Sequence, residues 1–445
     1  MQKKILIIVI FLSTFILSIT ALNLVFPLPE TKPYSLVIYD RNGILLNAFR
    51  ASDGMWRIRT HPGEIPPRLK EILLFKEDRY FYYHFGVNPL SLARAFTQNL
   101  FKKKRISGAS TITMQVARLL EPKERTYGNK LIEIFRAFQL EWHYSKDEIL
   151  AMYLSMVPLG GNIEGLQTAA MIYYQTPLER LNVAQIVDLI LIPNDPNDLR
   201  PDRKSELLYQ KRISTAKSMI AEGIFSEKDS FILTNTNAKV TRKNLPKLAP
   251  HFSLRIKELY RSDDQVHSSL DLKIQRSAEK LLQNHMRTWK QRGVNNGAVI
   301  VMDNKTSEIA AYVGSENFSD SLHGSQIDAV RALRSPGSTL KPLLYAQQMD
   351  KGTLTPKSRL LDVPYDDEGF VAENFDRTFS GMVYADDALR RSLNVPMVYL
   401  LRDAGVPEFI SFLTDAGIHS LESQRSKLGL SLILGGCGVT DRAQD

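Results

Sequence analysis

Glu77-Asp78-Arg79-Tyr80-Phe81-Tyr82-Tyr83-His84-Phe85-Gly86, followed by Ser107-Gly108-Ala109-Ser110-Thr111-Ile112-Thr113-Met114-Gln115, is the stretch whose reading decides the fold. The first run crowds acids, bases and aromatic rings together. A carboxylate lodged beside such rings is partly desolvated, an environment that suits a general base. The same composition also suits a solvated helix end above an aromatic core. The second run sets small and hydroxyl residues ahead of an apolar helix, whose free N–H groups and dipole attract an anion. Arg118, Arg125, Lys130 and Glu133 lie just beyond it.

Working outward, the periodicity around these runs is helical. Leu69, Ile72, Leu73 and Leu74 make one apolar face, and Leu131, Ile134, Phe135, Phe138 and Leu140 make another. Ser145-Lys146-Asp147-Glu148 reads as an N-cap with acids in the first turn. Residues 61–235 are therefore expected to form a mostly α domain. Ahead of it, in 27–60, two apolar runs flank Arg41-Asn42-Gly43, a hairpin signal.

At the N-terminus, residues 5–26 carry no charge and follow Lys3 and Lys4. About 20 such residues cross a bilayer as a helix, and the lysines place residues 1–4 in the cytoplasm. The expectation is an uncleaved single-pass type II anchor in the bacterial plasma membrane, with everything after Pro27 outside the cytoplasm. A cleaved signal peptide is the competing reading. Hydrophobic content of 44% against 24% charged excludes a disordered chain. The net charge of +9 suits anionic partners or a solvated basic surface. One cysteine, Cys437, excludes a disulfide framework and a cysteine-rich metal site. Lys102-Lys103-Lys104-Arg105 suits either anionic headgroups or a solvated loop.

The first region resembles the glycosyltransferase domain of class A penicillin-binding proteins and monofunctional peptidoglycan glycosyltransferases. Residues 77–86 are similar to that family's Glu-Asp-x-x-Phe-x-x-His-x-Gly motif, and residues 108–115 to its Gly-x-Ser-Thr-x-Thr-x-Gln motif. Asn129-Lys130-Leu131-Ile132-Glu133 resembles Arg-Lys-x-x-Glu, and residues 146–155 resemble Lys-x-x-Ile-Leu-x-x-Tyr-x-Asn. The order of four motifs makes the match specific.

The resemblance implies a lysozyme-like helical fold and a set of roles. Glu77 takes the acceptor sugar's hydroxyl proton. Glu133 assists the departing diphosphate, directly or through a divalent metal, Mg or Mn. Arg94, Arg118, Arg125 and Lys130 clamp that diphosphate, while Ser110 and Gln115 line the groove. The implied partners are lipid II, the growing glycan strand and the plasma membrane. β-Lactams enter through the second domain, and no nucleic acid is expected. The departures are Ala109, Met114, Asn129 and Ser155. Met114, with Gly86-Val87-Asn88-Pro89, resembles the 1C-type branch. Both acids are present, so activity is expected, weakened by the missing cation at Asn129. An idle membrane scaffold and a lysozyme-like hydrolase are the alternatives.

Residues 236–290, with Pro246 and Pro250 among scattered charges, read as a linker. From 291 the pattern changes: two apolar strands flank Asp303-Asn304-Lys305, and helices are expected after Pro336 and Asp386. Ser338-Thr339-Leu340-Lys341 is a Ser-x-x-Lys pattern, in which helical spacing brings an amine beside a hydroxyl. Ser214-Thr215-Ala216-Lys217 and Ser277-Ala278-Glu279-Lys280 match it equally, but only Ser338 follows a Ser-Pro-Gly turn and precedes Ser392-Leu393-Asn394. This resembles the acyl-serine site of the family's α/β transpeptidase domain, with Ser338, Lys341, Ser392 and Asn394 as catalytic residues. No Lys-Thr-Gly follows, and Lys427-Leu428-Gly429 is the nearest run. Residues 291–445 are expected to be an incomplete transpeptidase domain in which Ser338 reacts poorly with penicillin.

Overall fold

The computed structural model describes residues 23–89, 110–124, 126–237, 239–367 and 369–439. The chain divides into two compact units at Ser268/Ser269. Residues 5–22 of the expected anchor, Arg94, Lys102 to Arg105 and Arg125 lie outside the described residues. Among the described residues, no helix is long and apolar enough to cross a membrane.

In the first unit β1 (Leu36–Tyr39) and β2 (Leu45–Phe49) form the expected antiparallel hairpin. Asp40 closes its turn by accepting the Asn42 and Ile44 N–H groups at 2.8 Å, and Gly43 takes a φ of 75°. β3 (Trp56–Arg57) then leads to α1 (Pro67–Glu77), α2 (Ile112–Leu120), α3 (Tyr127–His143) and α4 (Lys146–Met156). After α4 come β4 (Ile163–Glu164), parallel to β3, and a single turn, α5 (Leu166–Ala169). α6 (Val183–Leu191), α7 (Ser205–Ala221) and α8 (Glu227–Asn235) complete the helical body.

Ser145 caps α4 as the sequence suggests, accepting from Glu148 N while Glu148 reaches back to Ser145 N. Leu69, Ile72 and Leu73 of α1 are buried against Ile112 and Val116 of α2, Leu150 and Leu154 of α4, and the hydrophobic α6. The expected apolar face of α3 behaves differently. Leu140 is buried, but Leu131 is 69% exposed, and Phe138 also faces outward beside Trp142.

Residues 236–290, expected to be a linker, are mostly regular structure. α9 (Pro250–Leu259) packs on β1 and β2, and β5 (Gln265–His267) pairs parallel to β1, giving sheet order β2-β1-β5. The hairpin thus belongs to the first unit's fold and depends on chain more than 200 residues away.

The second unit begins with α10 (Leu272–Lys290), capped by Asp271. Its Ala278, Leu282 and Met286 pack on the hairpin of β6 (Val299–Met302) and β7 (Ile309–Val313). α11 (Lys341–Asp350) follows a 3-10 turn at Gly337–Leu340. β8 (Arg359–Asp362), β9 (Tyr365–Asp367), β10 (Phe370–Ala372) and β11 (Gly381–Tyr384) make two small antiparallel pairs, β8 with β11 and β9 with β10. α12 (Ala385–Arg390), α13 (Val395–Ala404) and α14 (Val406–Asp415) close a separate core around Leu344, Val398, Leu401 and Phe409. Lys427-Leu428-Gly429 sits between two 3-10 stretches rather than on a strand.

Candidate active sites

Glu77 is the last residue of α1, because Asp78 leaves helical geometry at φ −160°. Its Oε1 lies 2.5 Å from Lys76 Nζ, and its Oε2 accepts from Gln115 Nε2 of α2 at 3.3 Å. Arg118, one turn beyond Gln115 on the same face of α2, has no ion-pair partner among the described residues. Beneath them Tyr153 of α4 is fully buried. Desolvation raises its hydroxyl pKa, the Glu77 carboxylate adds to that rise and Arg118 opposes it. Glu77, Gln115, Arg118 and Tyr153 are therefore one neighbourhood.

The start of α2 departs from expectation. Its free N–H groups were expected to hold a substrate anion. Instead Ile112 N donates to Asp78 Oδ2 at 3.0 Å, and Thr111 Oγ1 accepts from Met114 N at 3.1 Å. The dipole is already matched by a carboxylate of the chain itself. His84 Nε2 lies 3.0 Å from both Asp78 oxygens, and Thr111 Oγ1 donates to Gly86 O. Gly86 has a φ of 76°, and a Cβ there would come within 2.8 Å of Ala137 O, so only glycine fits between the turn and α3. Asp78, His84 and Gly86 thus form the scaffold that aims Glu77. The tight spacing of the motif is the signal for this role.

Glu133 sits on α3 and pairs with Lys130 Nζ at 2.8 Å. Lys130 Nζ also donates to Ser110 Oγ at 2.6 Å. Glu133 is thus linked to Ser110 through Lys130, and Glu77 is held by Gln115. Those anchors are five residues apart, mostly at helical rise, a span on the order of 10 Å. Lys130, Glu133, Ser110, Gln115, Glu77 and Arg118 are brought together; Arg94 and Arg125 fall outside the described residues. Asn129, where the family motif has arginine, donates its side-chain amide to Glu124 O at 2.8 Å. Ser155 accepts from Thr60 N at 2.9 Å and donates to Ala151 O at 2.7 Å. The buried Glu141, which the motif reading missed, accepts from Thr113 Oγ1 and Lys146 Nζ at 2.6 and 2.7 Å. It locks α2, α3 and α4 together.

In the second unit Lys341 opens α11 with its side chain buried. Its Nζ donates to Ser392 O at 2.8 Å, Ser392 Oγ at 3.3 Å and Asn394 Oδ1 at 2.8 Å. Every acceptor is neutral, and desolvation pulls the amine's pKa down to about 8. Ser392 has a φ of 53°, a left-handed backbone that costs a non-glycine residue and turns its carbonyl toward Lys341.

Two residues absent from the motif reading hold this geometry. Asn374 Oδ1 accepts the Asn394 and Val395 N–H groups at 2.9 and 3.3 Å. Its Nδ2 donates to Asp362 Oδ1 and Thr378 O at 2.7 and 2.8 Å. Ser338 is exposed on the 3-10 turn, and no hydrogen bond joins it to Lys341 among the described residues, so the expected amine–hydroxyl contact is not made in this conformation. Ser335 Oγ donates to Gly435 O at 2.6 Å, and Arg334 pairs with Val439, so residues 435–439 pack under the turn that carries Ser338.

Each of the two units is similar to a known protein domain. The transglycosylase family model matches residues 43–220, and that of the penicillin binding protein transpeptidase domain matches residues 297–430. Penicillin-binding protein 1C of Escherichia coli (strain K12) is 37% identical over 93% of this chain and 53% of that protein. Penicillin-binding protein 4 of Bacillus subtilis (strain 168) is 26% identical over 86% of this chain and 67% of that protein. The chain therefore spans about half the length of the Escherichia coli relative. The solved structure of penicillin-binding protein 1A from Haemophilus influenzae is 15% identical, with a TM-score of 0.44 over 93% of this chain and 67% of that one. With both family domains in this order, the chain belongs to the class A penicillin-binding proteins.

Proposed function

We propose that this protein polymerises lipid II into glycan strands by inverting displacement of the undecaprenyl diphosphate. The observation that carries this reading is that one short segment, Ser110 to Gln115, holds Glu77 directly through Gln115 and Glu133 indirectly through the Lys130 amine bound to Ser110. Glu77 accepts the proton of the attacking sugar hydroxyl, held toward it by Gln115. Direct attack needs no covalent sugar–enzyme intermediate. As the glycosidic bond breaks, negative charge grows on the diphosphate. Arg118 and Lys130, with Arg94 and Arg125, are placed in this proposal to match that charge as it forms. A hydrolase would gain little from these cations, because a glycan leaving group carries no diphosphate.

Among the described residues, no three Asp, Glu, His or Cys side chains gather as a metal cage. Mg or Mn would instead be held by Glu133 and the substrate's own phosphate oxygens, the few-ligand arrangement that hard cations accept, and would neutralise leaving-group charge. The outward face of α3, with Leu131, Phe138 and Trp142, supports a location against the outer face of the plasma membrane. Arg136 and Gln139 of the same helix bind Phe26 O, Pro27 O and Asn23, so the chain arriving from the proposed anchor runs along this helix.

Purified protein incubated with lipid II tests the reading. Lysozyme-sensitive polymer is expected, and it should disappear in Glu77→Gln. No product would favour a scaffold, and cleavage of preformed glycan a hydrolase.

A second activity is favoured by the buried Lys341. In this proposal Ser338 is an acyl-serine nucleophile for β-lactams, with the neutral Lys341 amine as its base. The reaction is slow, because Ser338 and Lys341 are not hydrogen-bonded and Lys427-Leu428-Gly429 is not on a strand. Serine-dependent labelling by a fluorescent penicillin tests it, with Ser338→Ala as the control.

A further inference from the structure

The first unit contains a cavity of about 740 Å³ that holds none of the residues assigned a catalytic or substrate-binding role above. It lies between the end of β2, α4 and the turn after α9, and all its lining residues belong to this unit. Its size is ordinary for a small-ligand site. Glu148, Ala151, Met152 and Ser155 of α4 face it. Tyr153, which lies under Glu77, projects from the opposite side of that helix. A helix about 10 Å across therefore separates the cavity from the glycosyltransferase groove.

Three features describe what would fill it. Arg50, Lys257 and Arg261 line the cavity without a carboxylate partner among the described residues. Arg50 lies over the Trp56 ring at 5.5 Å, Lys257 over Phe49 at 4.7 Å, and Arg261 reaches only the Glu258 backbone oxygen. Most of the acid here is already engaged: Asp264 binds Arg59 at 2.9 Å, and Glu148 is held by the Ser145 cap. Asp263 is the remaining acid. Second, Tyr34, Phe49 and Tyr144 contribute aromatic walls. Third, Thr60 lines the cavity while 97% buried, and its Oγ1 has no hydrogen-bond partner. Its backbone N–H is satisfied by Ser155, so only the hydroxyl is left over. A buried hydroxyl without a partner is costly, and a turn of the Thr60 side chain toward the cavity would let a ligand hydroxyl or acid oxygen complete it.

We infer that this cavity binds an anionic saccharide. The sugar ring would lie on the aromatic walls, its acidic group would face Arg50, Lys257 and Arg261, and a ring hydroxyl would meet Thr60. The acid can be a carboxylate, as on a peptide-bearing glycan, or a phosphate, as on an activated sugar. This goes beyond the polymerase reading and needs none of its residues.

Titration calorimetry on the full chain in detergent tests it with four probes: a muropeptide disaccharide, N-acetylglucosamine 1-phosphate, neutral diacetylchitobiose and a sugar-free acidic tetrapeptide. Saturable binding of at least one acidic sugar is expected, roughly tenfold tighter than the neutral disaccharide, and the preferred acid identifies the source. Replacing Arg50 and Lys257 together with alanine should weaken it about tenfold or more, and Thr60→Val severalfold. Glu77→Gln should leave this binding intact while abolishing polymer formation, which separates failure of this inference from failure of the polymerase reading. Equal affinity for the neutral sugar, equal affinity for the sugar-free peptide, an unaffected double variant, or no saturable binding would each overturn the proposal.

Discussion

The two candidate sites place lysines beside their reacting groups in opposite ways. In the first unit Lys76 and Lys130 each sit within 2.8 Å of a carboxylate, Glu77 and Glu133, and both pairs remain partly open to solvent. In the second unit Lys341 is buried and meets only neutral oxygens from Ser392 and Asn394. An ion pair at the surface costs little to rearrange, so its cation can turn to an incoming diphosphate. A dry amine with no counter-charge is pushed toward its neutral form, which is what a base for serine needs. On the proposed reading the first site serves charge compensation and the second deprotonation, although a lysine is central to both.

The strongest way to break this contrast is Glu77→Gln. Loss of a general base is expected to slow polymerisation roughly a thousandfold in a lipid II assay, with the circular dichroism spectrum unchanged. A loss below about tenfold would leave the first site as a binding groove without a base.

Lys341 sharpens the other half of the contrast. Lys341→Ala should slow penicillin acylation of Ser338 about a hundredfold. In the unaltered chain the acylation rate should climb with pH through about 8, because the neutral amine is the active form. The stability sign follows from the same shift. The folded-state pKa of about 8 lies below the ordinary lysine value of 10.5, so the unfolded chain binds this proton more tightly. The second unit should therefore gain stability as pH rises from about 8 toward 10.5. A flat acylation profile between pH 7 and 9 would refute the dry-amine reading.

Asn374→Ala asks whether positioning matters there. Removing four hydrogen bonds from a buried amide, two of which hold the Asn394 turn, should cost about 2 kcal/mol, read by thermal unfolding. It should also impair acylation beyond what the lost stability explains. The smallest effect is expected from Lys130→Ala. Loss of one cation proposed to face the diphosphate should raise the KM for lipid II about tenfold, with a lesser effect on kcat if that contact already forms with the bound substrate.

Much of the local structure was legible before any coordinates. Asn42-Gly43 and the Asp303 turn marked their hairpins, and Ser145 with Glu148 marked the start of α4, because each depends on residues a few positions apart. Glu77 and Ser338 stood out by motif order. The expected anion site at the start of α2 failed because Ile112 N is taken by Asp78, 34 residues earlier in the chain, and Met114 N by the Thr111 cap. The apolar periodicity of α3 identifies the helix but not which of its apolar residues face the core: Leu140 is buried, while Leu131 and Phe138 lie outward. Residues 236–290 looked like a linker because Pro246 and Pro250 break patterns, yet Pro250 opens α9, where a missing N–H costs nothing.

Sequence alone therefore marked many of the helices and hairpins and named the candidate site residues, since propensity, capping and turn geometry act over a few residues. Tertiary structure alone decided how those side chains are partnered. It set Asp78 against the α2 terminus, Lys130 between Ser110 and Glu133, and Lys341 in a dry pocket supported by Asn374. Desolvation and ion pairing depend on neighbours in space, and those neighbours stand tens of residues apart along the chain.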